Sequence, residues 1–208
     1  LITIKDQHFT PDASGVLFWE NNKILLVADV HFGKIAHFRK YGSAVPSSAI
    51  TVNFKKLDEA IKKYNPRKLI FLGDLFHSDY NQEFKLFEHW VKHQNCSILL
   101  IKGNHDIVHP SFFKKANLEV LPHLIIGDFY LTHKPEHKPN LFTLCGHLHP
   151  GYALSGLGRQ KLRLPCFYQT ENQMILPAFG TFTGLYLVKS MPNESVYVCT
   201  QNEVIKVQ

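Results

Sequence analysis

The chain has 208 residues, with 23 Lys or Arg against 17 Asp or Glu, a formal charge of +6. A composition 45% hydrophobic and 19% charged excludes a disordered or collagen-like chain. The length fits one domain over residues 1–208, with core enough to stand without disulfides. No apolar run approaches the roughly 18 residues that span a bilayer. Leu1-Ile2-Thr3-Ile4-Lys5-Asp6 has neither a basic n-region nor an apolar h-region, so no signal peptide is expected. It also lacks Met, so a residue or two is expected to be missing upstream. Cys96, Cys145, Cys166 and Cys199 are scattered with no C-x-x-C pair, which excludes a zinc ribbon and a thioredoxin motif. Three of them sit in apolar runs as core residues, and a reducing, cytoplasmic compartment is expected. The oddity is histidine: 13 of 208 residues. Imidazole is the commonest metal ligand, so where these residues fall decides what they mean.

In chain order, Val16–Trp19 and Lys23–Ala28 are β-rich runs that predict a hairpin across Glu20-Asn21-Asn22. Ser47-Ser48 precede a helix with Ile50, Phe54, Leu57 and Ile61 on its apolar face, ended by Asn65-Pro66. Lys68–Leu72 is a strand of the kind covered on both faces. A second helix is predicted from Gln82 to His93, with Phe84, Phe87, Trp90 and Val91 inward; His89 and His93 read as a surface pair. Ile98–Ile101 is another buried strand. This alternation predicts an α/β arrangement with right-handed crossovers. Pro110–Ala116 reads as a short helix. After it come only β-like runs: Leu124–Ile126, Phe129–Thr132, Leu141–Cys145, Lys161–Tyr168, Gly184–Val188, Val196–Cys199 and Val204–Val207. The second half is therefore expected to be mostly antiparallel, giving two packed sheets with helices outside.

In an open α/β sheet ligands bind beyond the carboxyl ends of strands. After Ile24–Ala28 comes Asp29-Val30-His31; after Lys68–Leu72, Gly73-Asp74; after Ile98–Ile101, Lys102-Gly103-Asn104-His105-Asp106. After Phe129–Leu131 comes Thr132-His133; after Leu141–Cys145, Gly146-His147-Leu148-His149. Alternation along a strand is expected to put His147 and His149 on one face. A single D-x-H is a weak signal, because turns routinely carry Asp. Five strand ends all delivering Asp, Asn or His are not turn composition. The donors are oxygen and imidazole without thiolate, which suits hard to borderline divalent ions. Asp29, His31, Asp74, Asn104, His133, His147 and His149 make more ligands than one ion with an open position needs; two ions sharing a carboxylate would use all of them.

The order D-x-H, G-D, G-N-H-D, H, G-H-x-H from Asp29 to His149 resembles the calcineurin-like metallophosphoesterases. The resemblance implies two mixed β-sheets flanked by helices in a four-layer αββα sandwich. It implies that Asp29, His31 and His149 hold one metal, that Asn104, His133 and His147 hold the other, and that Asp74 bridges them. His105 then faces the leaving group, with Asp106 orienting and charging it. The G-D block runs Gly73-Asp74-Leu75-Phe76-His77, where a polar residue is usual at the last place, so His77 is a candidate for a group behind the ligands. Manganese is the expected metal, with iron, zinc, nickel or cobalt as alternatives. A closer similarity, over roughly residues 16 to 188, is to the bacterial ligase-associated DNA damage response endonucleases (the PdeM family). It is carried by Asp29–Lys34, Phe38-Arg39, Gly42, Val45-Pro46, Arg163–Phe167 and Leu176–Gly184. The last two blocks, apolar with Gly and Pro, read as strand, corner, strand without a catalytic role.

The implied chemistry is attack of a metal-bound hydroxide on phosphorus between two ions about 3.5–4 Å apart, with His105 protonating the departing oxygen. No Ser or Cys nucleophile is needed. Lys34 and Arg39 follow the D-x-H loop and are candidates to grip a substrate phosphate. The substrate implied by the closer similarity is DNA, cleaved in repair beside a DNA ligase and a helicase. The +6 charge is consistent with that and does not discriminate. A small-molecule phosphatase or nucleotide phosphodiesterase would carry the same core pattern. A non-catalytic scaffold would be expected to have lost ligands or the catalytic histidine, and this chain keeps them all.

Overall fold

The computed structural model describes residues 1–35, 41–42, 44, 47–77, 82–156, 158 and 160–208. The first sheet has seven strands in sequence order. β1 (Ile2–Ile4), β2 (Gln7–Pro11), β3 (Leu17–Trp19) and β4 (Ile24–Val27) form an antiparallel meander. β5 (Lys68–Leu72), β6 (Ser97–Ile101) and β7 (Glu119–Leu121) then add in parallel. Parallel neighbours need crossovers, and the described helices supply them. α1 (Val52–Tyr64) follows a 3-10 turn at Ser47–Thr51, α2 (Gln82–Lys92) precedes β6, and α3 (Pro110–Lys115) precedes β7.

The continuous apolar runs of β4, β5 and β6 are explained by a layer on each side. Side chains alternate along a strand. Leu25, Val27, Leu69, Phe71, Ile98 and Leu100 therefore pack with the helices, against Phe54, Leu57, Phe87 and Phe112. Leu26, Ile70, Leu72, Leu99 and Ile101 point the other way, to Leu131, Leu144, Phe167 and Met174 of the second sheet. α1 buries Asn53, Phe54, Leu57 and Ala60, with Ile61 only partly covered. Asn65 takes the left-handed C-cap position (φ 43°) with its N–H on the Ile61 carbonyl, and Pro66 prevents continuation. Trp90 of α2 donates to Asp58 of α1 at 2.7 Å, which locks the two helices together.

The second sheet has nine strands, with a path β14-β11-β12-β13-β10-β9-β8 and β15 and β16 off β12. β8 (Leu124–Ile126) and β9 (Phe129–Leu131) form a hairpin across Gly127-Asp128. The centre departs from the antiparallel expectation. β10 (Phe142–Cys145) pairs in parallel with both β9 and β13 (Gln173–Ile175). β11 (Pro150–Ser155) is likewise parallel to β14 (Tyr186–Leu187), and antiparallel to β12 (Lys161–Gln169). The parallel centre matters for the site, because it sets the carboxyl ends of β9 and β10 side by side. β15 (Ser195–Cys199) and β16 (Val204–Lys206) close the far side over a small cluster of Cys166, Val188, Val196 and Val198. The architecture is thus two mixed sheets packed face to face, with α1, α2 and α3 over the first. Among the described residues no helix is long and apolar enough to cross a membrane.

Candidate metal centre

The site lies where the two sheets end together. Asp29, Asp74, His133 and His147 each stand two residues beyond the last residue of their strand. Past β4 and β5 the two loops stay zipped: Asp29 N–H donates to the Gly73 carbonyl (3.2 Å), His31 to Asp74 (3.0 Å) and Phe32 to Leu75 (2.8 Å). His147 N–H from the second sheet donates to Asp29 Oδ2 at 2.8 Å, and His105 N–H donates to Asp74 Oδ1 at 2.9 Å. Backbone donors from other loops therefore fix both carboxylates.

Two triads result, Asp29–His31–His149 and Asp74–His133–His147, each with its ligand atoms within 4.8 Å of one another. In the first, the Nε2 atoms of His31 and His149 are 3.3 Å apart, and His149 Nε2 is 3.6 Å from Asp29 Oδ1. In the second, His133 Nε2 is 3.3 Å from Asp74 Oδ1 and 3.1 Å from His147 Nδ1. His133 Nδ1 lies 2.9 Å from the Leu72 carbonyl, which fixes the ring with Nε2 facing the carboxylate.

Divalent ions fit this donor set. Asp29 Oδ1 is buried with no hydrogen-bond partner among the described residues, and imidazole nitrogens face one another with lone pairs to share. Burial, with His149 and Lys34 nearby, pushes the His31 imidazolium down to about 3 against the pull of Asp74, so the ring is a neutral donor. Burial raises the Asp74 carboxyl, but hydrogen bonds from His133 and the His105 amide outweigh it and hold the group below the usual carboxylate range.

Five of the six triad residues (Asp29, His31, Asp74, His147 and His149) have positive φ, between 47° and 74°. Asp and His tolerate this region better than most residues, yet each such position costs on the order of 1–3 kcal/mol. The fold holds these turns because each lies in a dense backbone net. Gly73 (φ 84°) completes it: a Cβ there would overlap the His133 ring, as one on Gly103 would overlap Asp74. The positive φ values also correct the expectation for His147 and His149. These residues lie on a bend between β10 and β11, not on one strand face, and they diverge to different triads.

Asn104 is exposed on the same loop, between Gly103 and His105. The His105 side chain is 52% exposed, with Nε2 4.0 Å from Asp74 Oδ2, so it stands at the mouth of the site. His77 sits behind it, its ring centroid 5.4 Å from those of both His31 and His105. Asp106 is fully buried, and its oxygens accept from Gly103 N–H (2.8 Å) and Phe76 N–H (3.0 Å). Burial pushes its carboxyl up to about 6 against those two bonds. Any orientation it gives His105 passes through the backbone of the loop. Lys34 is half-buried beside His31 in a small cleft, and burial holds its ammonium below the ordinary lysine range. Arg39 and His37 lie outside the described residues.

Sequence reasoning gave the block Leu176–Gly184 no part in the site. Phe179 N–H donates to the Ala28 carbonyl (2.9 Å) and Gly180 N–H to the Asp29 carbonyl (3.1 Å). This corner therefore backs the Asp29–His31 loop of the first triad. Its one signal was the close Gly and Pro spacing, which reads equally as a plain turn.

The pattern of the calcineurin-like phosphoesterases matches residues 22–173. Among solved structures the chain is similar to the Pseudomonas putida nuclease MPE, at 30% identity over 98% of each chain, with a TM-score of 0.83. It also matches the E. coli phosphoesterase Yfce, at 14% identity over 88% of this chain and 97% of that one, with a TM-score of 0.47. No curated protein matches. The matched span contains both triads and the His105 loop, and the chain belongs to the calcineurin-like phosphoesterase family of metal-dependent phosphoesterases with a dinuclear centre.

Proposed function

We propose that the chain is a phosphodiesterase acting on DNA, an endonuclease of DNA repair. The observation that carries the phosphoesterase part of this reading is the pair of convergent triads with the open His105 ring beside them. The nuclease assignment is supported by the similarity to the P. putida nuclease over nearly the whole of both chains. In this reading Asp29, His31 and His149 hold one ion, Asn104, His133 and His147 the other, and Asp74 serves both. Two divalent ions, manganese first, would supply Lewis acidity and lower the pKa of a water so that it is available as hydroxide. His105 Nε2 delivers a proton to the departing oxygen. Asp106 positions His105 by holding the Gly103 and Phe76 amides. Lys34 grips a non-bridging phosphate oxygen beside His31, and Arg39 is assigned the same task from the sequence pattern. A single domain over residues 1–208, a cytoplasmic setting, and a DNA ligase and a helicase as partners complete the reading, on the strength of the resemblance.

A manganese-loaded substrate panel tests it, with p-nitrophenyl mono- and diesters, 2′,3′-cyclic nucleotides, and single- and double-stranded DNA. Cleavage of diesters and DNA is expected. Turnover of monoesters or cyclic nucleotides with no cut in DNA overturns the nuclease reading in favour of a small-molecule phosphoesterase.

A further inference from the structure

A cavity of about 350 Å³ opens beyond the corner that backs the Asp29–His31 loop. Lys56 of α1 reaches it from one side, and Pro165, Pro177, Phe179 and Leu185 are among the residues that line it, with Ser14 and Thr181 as polar members. Lys56 Nζ donates to the Phe179 carbonyl at 2.8 Å and lies 4.1 Å from the centroid of the Phe179 ring. An ammonium has three N–H donors, so this bond leaves others to spend. Among the described residues no carboxylate forms an ion pair with Lys56. Asp12, the carboxylate whose charge reaches it, is committed to Lys63, Tyr64 and Ser14. A partly buried cation over an apolar wall, in a space of this size, suits a small anionic ligand with a flat apolar part.

The cavity is joined to the metal centre through one loop. Lys56 holds the carbonyl of Phe179, whose N–H holds the Ala28 carbonyl, and the next N–H, of Gly180, holds the Asp29 carbonyl. Gly180, Thr181 and Thr183 line both this cavity and the small cleft that contains His31, Lys34 and Asn53. Asn53, three residues before Lys56 on α1, is 5% exposed, and its Oδ1 has no partner among the described residues. A path therefore runs from the ligand His31, past Lys34 and over the Gly180–Thr183 loop, to a second cation and an apolar pocket.

We propose that the Lys56 cavity is a subsite for the nucleotide adjacent to the scissile phosphate in a single nucleic-acid strand. The phosphate pairs with the Lys56 ammonium, and the base lies against Pro165, Pro177 and Leu185. A paired base could not enter, so the subsite selects unpaired strand. This rests on the nuclease reading.

The test uses the manganese-loaded protein and two variants. Lys56→Met keeps the apolar stem and removes the charge; Leu185→Trp fills the cavity and leaves the lysine. In both, KM for a single-stranded oligonucleotide is expected to rise ~10-fold, with a loss for bis-p-nitrophenyl phosphate at least ~5-fold smaller. Lys56→Met is further expected to lower the slope of log affinity against log salt by about 0.7, while Leu185→Trp leaves the slope in place. Equal losses on both substrates overturn the proposal, because Lys56 would then act only by holding the Phe179 loop; so does no loss on the oligonucleotide. If the wild-type protein turns over bis-p-nitrophenyl phosphate and does not bind the oligonucleotide, the nuclease reading fails first. The subsite is then judged by titrating AMP into wild type and Lys56→Met: binding lost in the variant upholds a nucleotide site, and absence of binding to wild type removes it.

Discussion

The two triads use the same residue types and differ in how far they satisfy themselves. Asp74 and His133 form a buried pair at 3.3 Å, with the carboxylate held low and, although burial opposes it, the imidazolium held high by their attraction. Asp29 and His31 make no such pair: one Asp29 oxygen accepts from His147, while the other accepts no hydrogen bond among the described residues and stands 3.6 Å from His149 Nε2 and 3.9 Å from His133 Nδ1. One triad is an ion pair that a metal must displace. The other is a looser set of donors, with its closest carboxylate–imidazole distance 3.6 Å. Metal affinity and folding are therefore expected to be coupled most tightly through the Asp29 triad.

The largest expected effect falls on the residue assigned to both ions. Asp74→Asn should remove metal and activity together, at about 5 kcal/mol or roughly 10³–10⁴-fold in turnover. Metal analysis with diester turnover checks this, and an active variant without metal ends the two-ion reading. His105→Ala comes next. It should retain its metal and lose ~10²–10⁴-fold, the usual worth of a general acid, and less with p-nitrophenol as the leaving group. An equal loss for good and poor leaving groups would remove His105 from the proton transfer.

The placement of the two triads was legible because apolar strands announce their own ends, and four triad residues stand two residues beyond them. The division of His147 and His149 between triads was implied by the family pattern alone and not by the residues' spacing. It depends on left-handed backbone at both residues, which no hydrophobic period records. Strand direction was equally silent: Phe142–Cys145 reads the same whether its neighbours are parallel or antiparallel. β11 was missed because Pro150-Gly151 has the composition of a turn. The support that Phe179 and Gly180 give to Asp29 was hidden because backbone N–H groups make it, and any residue but proline offers one.

The asymmetry between the triads can be broken directly in metal-free protein. Asp74→Asn removes one charge of a buried pair and should cost about 2–4 kcal/mol in urea unfolding. Asp29→Asn removes a charge whose imidazole neighbours stand farther off, His149 Nε2 at 3.6 Å and His133 Nδ1 at 3.9 Å, and should cost less, about 1 kcal/mol. Manganese should then raise the melting temperature of the Asp29 variant far less than that of wild type. Equal destabilisation by the two substitutions would show that the triads are energetically alike.

A third carboxylate gives the baseline for a self-satisfied charge away from the ligands. Asp12, with an 11% exposed side chain, accepts from Lys63 (2.6 Å) and Tyr64 (2.8 Å) of α1, and from Ser14 Oγ (2.6 Å) and N–H (2.8 Å). Burial raises its carboxyl, but these four bonds outweigh it and bring the group down to about 2 from an ordinary 3.8. The folded state thus binds the proton more weakly than the unfolded chain. The contribution to stability is complete above the unfolded value and is lost as pH falls through the folded one. Asp12→Asn should cost about 1–2 kcal/mol at pH 6, and roughly half of that difference should remain at pH 3. Urea midpoints of the two proteins at both values measure it. A difference that does not shrink on acidification would mean that Asp12 pins α1 to the β2–β3 turn by geometry alone, with no part played by its charge.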